Sequence, residues 1–161
     1  MLPRIFLICQ NIRSRHNVGS IFRSADAFAV SKIYLCGYTA CPPHPNILKT
    51  ALGAENTVPW EHQKQTWQVV EELKSRGVVI LALEKTKTSI PLVQILGNRP
   101  IILQAKKHGV GIILGNEVSG VTRKITNRAD KVVHIPMYGQ KESLNVAVAA
   151  GIALYHLRNL C

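Results

Sequence analysis

Acidic residues are scarce in this chain. Nine Asp and Glu stand against 20 Lys and Arg, giving a net charge of +11. That imbalance points to a polyanionic partner, most simply nucleic acid. Cysteine is also sparse: Cys9, Cys36, Cys41 and Cys161 form no CxxC pair. Their spacing fits neither a zinc site nor a disulfide framework, so reduced thiols in the cytoplasm are expected. The six histidines show no HExxH or HxH spacing, and no metal is expected. No apolar run is long enough to span a bilayer. The start, MLPRIFLICQ, is too short for a signal peptide and is soon interrupted by Arg13 and Arg15. There is no low-complexity tract, internal repeat or linker. With 161 residues, 47% of them hydrophobic, a single domain over residues 1–161 with a sizeable core is expected.

Familiar site signatures are missing as well. Gly109-Val110-Gly111 with Gly115 is not GxGxxG, and it leads into an apolar strand-like run rather than a helix. There is no Walker GxxxxGK[ST], and Ser143 does not sit in a GxSxG elbow.

What is present is an alternation of strand-length and helix-length runs. Arg4 to Cys9 reads as a first strand, followed by a basic loop carrying Asn11, Arg13, Arg15 and His16. Asn17 is placed to cap a helix reaching about Ala29, with Val18, Ile21, Phe22 and Ala25 inward. Gly19 and Arg23 share another face of it. A helical glycine costs about 1 kcal/mol relative to alanine, which suits a position approached closely by a backbone or a phosphate. Lys32 to Cys36 is a second strand. A Pro-rich loop, Cys41 to Pro45, precedes a short helix capped by Asn46 and broken at Gly53-Ala54-Glu55, and Val58 to Trp60 is extended. A helix follows from Thr66 to about Arg76, with Gly77 as its stop. Val78 to Leu83 and Val110 to Leu114 are apolar throughout, as strands buried on both faces are. Residues 90–107 hold a short helix or strand. Thr122 caps a short basic helix, and Val132 to Ile135 is a last strand, stopped by Pro136. This order predicts an α/β fold with a mostly parallel sheet flanked by helices.

In open α/β sheets ligands gather beyond the carboxyl ends of the strands. The polar loop Glu84 to Ser89 follows one such end. Glu117 follows another, in a Gly-flanked turn where a carboxylate can bind a ligand or brace backbone N–H groups. After the last strand, Ser143 stands just before the Ala-rich run Leu144 to Leu157 and reads as its N-cap. Helix N-termini attract carboxylate and phosphate, and Ser143 and Asn145 add polar groups there. A capping serine and a solvated asparagine account for the same residues without a ligand.

Three stretches taken together resemble one family. They are Asn17-Val18-Gly19-Ser20-Ile21-Phe22-Arg23, then Ile113 to Gly120 (ILGNEVSG), then Ile135-Pro136-Met137 with Ser143-Leu144-Asn145. In order and spacing they resemble the SpoU (TrmH-like) RNA 2′-O-methyltransferases of the SPOUT class. The resemblance covers nearly the whole chain, and Gly53-Ala54-Glu55 resembles a further family feature. Ala147 stands where the family often has serine.

The resemblance implies an α/β fold with a C-terminal trefoil knot, a homodimer, and S-adenosyl-L-methionine bound among three loops. The matching cofactor positions are Leu83, Gly115, Ile135, Met137 and Leu144. The family's polar site residues carry over to Asn17, Arg23, Glu117, Ser143 and Asn145. A ribose hydroxyl is a poor nucleophile at neutral pH, so transfer needs proton removal and in-line positioning. The resemblance assigns proton removal to Arg23, supplied across the dimer. Arginine ordinarily keeps its proton, so electrostatic positioning of the 2′-oxygen and phosphate by Arg23 stands as the alternative. Ser143 and Asn145 would position the ribose or Arg23, and Glu117 would brace the site. With no separate RNA-binding domain, RNA affinity is expected from Arg13, Arg15, His16 and Arg123, with Lys49, Lys106, Lys107 and Lys124 as further candidates. The substrate expected is structured RNA, tRNA favoured over rRNA. Base methylation by a SPOUT relative, or RNA binding without chemistry, are the competing functions.

Overall fold

The computed structural model describes residues 2–160; Cys161, the last of the four cysteines, lies outside them. Among the described residues, seven strands form the centre. They are β1 (Ile5–Gln10), β2 (Lys32–Cys36), β3 (Trp60–Gln63), β4 (Val79–Leu83), β5 (Ile90–Pro91), β6 (Val110–Leu114) and β7 (Lys131–His134). They make one seven-stranded sheet in the order β3-β2-β1-β6-β4-β7-β5, with every pairing parallel, and its middle strands, β1, β4 and β6, are near-continuously apolar. Side chains alternate between its faces. Ile5, Leu7 and Cys9 of β1 join one apolar cluster, whereas Phe6 and Ile8 join the other. Both faces are therefore covered, which is why the central strands show no polar alternation.

One face carries α1 (Arg15–Ala27) and α7 (Val146–Arg158); Val18, Ile21, Phe22 and Ala25 of α1 meet Ala150, Ala153, Leu154 and Leu157 of α7 in its core. The other face carries α4 (Thr66–Ser75) and the short α6 (Arg123–Thr126), through Val69, Val70, Leu73 and Ile125. α2 (Pro45–Ala51) and the single turn α3 (Ala54–Thr57) lie beside α1. Residues 90–107, ambiguous in sequence, contain β5, a 3-10 helix (Leu92–Gly97) and most of α5 (Arg99–His108). Among the described residues no helix is long and apolar enough to cross a membrane.

Three caps differ from expectation. Ser14, not Asn17, caps α1: its Oγ accepts from the Asn17 N–H at 3.2 Å. His44, not Asn46, caps α2, with Pro45 in the first turn, where its missing N–H costs nothing. Asn145, not Ser143, caps α7; its Oδ1 accepts from Ala147 N–H at 2.8 Å and Val148 N–H at 3.3 Å. In each case a second cap-competent side chain lay within three residues, and the path of the preceding loop chose between them. Gly53-Ala54-Glu55 does end α2, but the chain turns at once into α3.

Gly19 has a definite cause. A Cβ there would overlap the Ile47 carbonyl oxygen and Thr50 Oγ1 of α2. The approaching group is thus the backbone of a neighbouring helix.

Candidate active site

The strand order sets where a site can form. From β1 the chain moves outward to β2 and β3; β6 later pairs with β1 on its other side. Such a reversal opens a crevice at the carboxyl ends of the strands. A cleft of about 490 Å³ lies at that edge, on the β6 side of the reversal, beyond β4, β6 and β7. Its apolar lining includes Leu83, Leu114, Ile135, Met137 and Leu144; Gly115, Glu117, Ser143 and Asn145 also line it. All five expected cofactor positions, Leu83, Gly115, Ile135, Met137 and Leu144, are thus brought to one cavity. Small-molecule sites run from about 300 to 1,000 Å³, so the cleft has room for an adenosine-sized ligand, with Lys85, His134 and Glu142 among further polar groups on its walls.

Gly115 is required by its own loop. A Cβ would overlap the Gly120 carbonyl carbon and the Val121 nitrogen, because the loop folds back in an Asn116–Gly120 bridge. A bulky residue at Gly115 would therefore distort the loop before it filled the cleft.

Polar groups tie the three sequence motifs together at the rim. Glu117 Oε2 accepts from the Arg13 N–H at 2.8 Å, and Oε1 from the Ser14 N–H at 3.0 Å and Asn17 Nδ2 at 3.0 Å. Asn17 Oδ1 in turn accepts from Asn145 Nδ2 at 3.1 Å. Glu117 is thus a brace, and it also holds the basic loop in place. Partial burial opposes its ionisation, but the N–H groups of Arg13 and Ser14 and the Asn17 amide outweigh it. They hold its carboxyl below the ordinary carboxylate range.

Glu84 was not anticipated as a site residue. It ends β4 by donating its N–H to the Val133 carbonyl at 2.9 Å, while Oε2 accepts from the Val121 N–H at 2.7 Å. One residue thereby joins the cleft-forming loops after β4 and β6 to β7. The only sequence signal was its position just past a buried strand. Asn116, 7% exposed, is the other omission; its carboxamide is fully engaged within and beyond the loop.

Arg23 stands apart. It is exposed on α1 and is absent from the cleft lining; with Lys49, Ser20 and Thr50 it borders a second depression between α1 and α2. Arg13, Arg15 and His16 are exposed beside Glu117, and Arg123 is exposed at the start of α6. Lys106 and Lys107 lie just before β6, at the amino-terminal edge of the sheet and so opposite the cleft.

A model of the SpoU rRNA Methylase family matches residues 4–155. The chain belongs to this family. A 23S rRNA (guanosine-2′-O-)-methyltransferase RlmB of Coxiella burnetii is 31% identical over 157 residues, 97% of this chain and 58% of the relative. A tRNA (guanosine(18)-2′-O)-methyltransferase of Aquifex aeolicus is 34% identical over 152 residues, 94% of this chain and 67% of the relative. The chain therefore spans little more than half of the first and two thirds of the second. Among solved structures, an AdoMet-bound rRNA methyltransferase from Sinorhizobium meliloti superposes with a TM-score of 0.86 at 26% identity, over 98% of this chain and 57% of that one.

Proposed function

We propose that this SpoU-family protein transfers a methyl group from S-adenosyl-L-methionine to a ribose 2′-hydroxyl of RNA. The observation that carries the reading is the bonded series Glu117–Asn17–Asn145. It joins three distant stretches of sequence at the rim of a cleft whose walls suit the cofactor. When bound, the cofactor supplies an electrophilic methyl group. The chain's residues do the rest. Leu83, Ile135, Met137 and Leu144 wall the adenosine and exclude water, and the backbone of 115–120 faces it with polar groups. Ser143 and Asn145, at the N-terminus of α7, orient the ribose. Arg23 either takes the hydroxyl proton or draws the 2′-oxygen and its phosphate into line while another group or water takes the proton.

Because Arg23 borders a different depression from the cleft, this reading requires a second copy of the chain to supply it. Val148 and Tyr155 are 53% and 61% exposed on α7 and offer such a copy an apolar contact. The small residues Ala150 and Ala153, by contrast, are consumed by packing within the chain. A C-terminal knot belongs to the same reading, and it is supported by β7 inserting between β4 and β5, themselves separated in sequence by only six residues, before the chain continues as α7. A reducing, cytoplasmic setting is consistent with Cys9 and Cys36, both buried free thiols on adjacent strands. A tRNA substrate is the preference within this reading, and relatives of similar identity include enzymes named for tRNA and for 23S rRNA.

The test is calorimetric titration with S-adenosyl-L-methionine, with and without tRNA. Wild type is compared with Ala149→Phe, which projects a ring from α7 into the cleft. Mass spectrometry of digested tRNA and rRNA then locates a 2′-O-methyl product. Binding by wild type and its loss in the variant are expected. Folded wild type that binds no cofactor under either condition would refute the reading.

A further inference from the structure

Tyr38 lies outside the cleft lining. It follows β2 at the carboxyl edge of the sheet, and 63% of it is exposed. Its position is nonetheless held at two points. The phenolic oxygen accepts from Asn116 Nδ2 at 2.7 Å, and the backbone N–H donates to Asn11 Oδ1 at 3.2 Å. Both anchors are themselves fixed. Asn11 adopts a left-handed φ of 56°, tolerable for asparagine, and its N–H donates to the Cys36 carbonyl. Asn116 Nδ2 also donates to the Asn11 carbonyl at 2.9 Å, while its Oδ1 accepts from Val118 and Ser119 N–H.

An aromatic ring held by its tip and its backbone, yet left in water, gives up freedom without burying apolar area. Such an ordering cost is recovered when a flat partner covers the ring. The surroundings define that partner. Asn116 lines the cleft, so the ring is one hydrogen bond from the cofactor loop. Arg13 in the same loop as Asn11, and Arg15 and His16 in the first turn of α1, are all exposed. Cations beside an exposed aromatic ring suit a phosphate backbone with an unstacked base, since single-stranded bases stack on such rings.

We propose that Tyr38 is a preformed stacking platform for an unpaired base of the RNA, adjacent to the nucleotide presented to the cleft. The proposal rests on the methyltransferase reading for its substrate. A competing role exists: Tyr38 could merely prop Asn116 and so shape the cofactor loop. The two differ in which atoms matter, the ring face or the hydroxyl.

The experiment measures the affinity of the full chain for tRNA and for a short single-stranded RNA, and separately its affinity for S-adenosyl-L-methionine. Tyr38→Leu removes the ring and is expected to weaken RNA binding by ~10-fold, in line with base–aromatic stacking, with cofactor affinity unchanged. Tyr38→Phe keeps the ring and is expected to bind RNA nearly as wild type. Tyr38→Trp, a reporter that serves even if the leucine variant misfolds, is expected to lose fluorescence on RNA binding. RNA affinity unchanged in Tyr38→Leu, cofactor affinity falling in step with RNA affinity, or bound RNA that leaves the Tyr38→Trp emission unaltered would each overturn the platform. RNA that binds wild type without being methylated would instead defeat the methyltransferase reading and leave the platform standing. No RNA binding by wild type would end the platform as well.

Discussion

At the scale of single residues, Glu117 matters through what it holds rather than what it exposes. Its carboxylate gathers two backbone N–H groups of the basic loop and the amide of Asn17. Ionisation is favoured in the folded state, so its pKa lies below the ordinary 4.5. The sign follows from linkage: the stabilisation is complete above about pH 4.5 and is lost as the pH falls through the lower folded-state value. Glu117→Gln is expected to be less stable than wild type at neutral pH, the gap closing as the pH drops below 4.5. Urea unfolding between neutral and strongly acid pH reads this directly. Parallel acid-side losses in the two proteins would show that Glu117 contributes no such linkage.

At the scale of elements, the close approach of α1 and α2 decides how the basic loop and Arg23 are presented. Gly19 permits it, since any Cβ would meet the Ile47 carbonyl, a backbone atom that cannot swing aside. Alanine at this position would gain about 1 kcal/mol of helix propensity. Overpacking typically costs about 1–3 kcal/mol, so the clash is expected to win. Gly19→Ala should therefore lower the melting temperature by roughly 2–4 °C for each net kcal/mol lost in a chain of this size. A rise in melting temperature would mean that α2 shifts freely and that the contact is not a constraint. The same contact shows why a helical glycine was conspicuous in sequence although its partner was not. Ile47 and Thr50 lie about thirty residues further along and carry no signature of the approach.

At the scale of the whole molecule, Arg23 lies apart from the cleft, so the proposed active site calls for a second chain to supply it. A C2 pair would form two such sites, each drawing Arg23 from the opposite protomer. Arg23→Ala and Asn145→Ala are each expected to abolish methyl transfer when assayed alone. Mixed and allowed to exchange, they should regain part of it, because a mixed dimer contains one intact site. Tritium transfer to RNA measures the recovery, and sedimentation establishes that exchange took place. Mixed dimers without activity would place Arg23 in its own chain's site, and an active Arg23→Ala would place it outside the chemistry.

The sequence by itself determined the layered α/β class, because strands buried on both faces must be apolar at consecutive positions, and β1, β4 and β6 are. Through the resemblance to the SpoU family it also named Leu83, Gly115, Ile135, Met137 and Leu144 together, but it is the sheet order, with β4, β6 and β7 as neighbours, that brings them to one cleft. Tertiary structure alone decided the caps, for Ser14 against Asn17 and Asn145 against Ser143 differ only in how the incoming loop aims the side chain. It alone revealed the Glu84 clasp and the tethering of Tyr38 by Asn116. Those contacts join residues 37 and 78 positions apart. A hydrogen bond across such a distance leaves no periodic trace in a chain, because both partners are ordinary polar residues until the sheet brings them together.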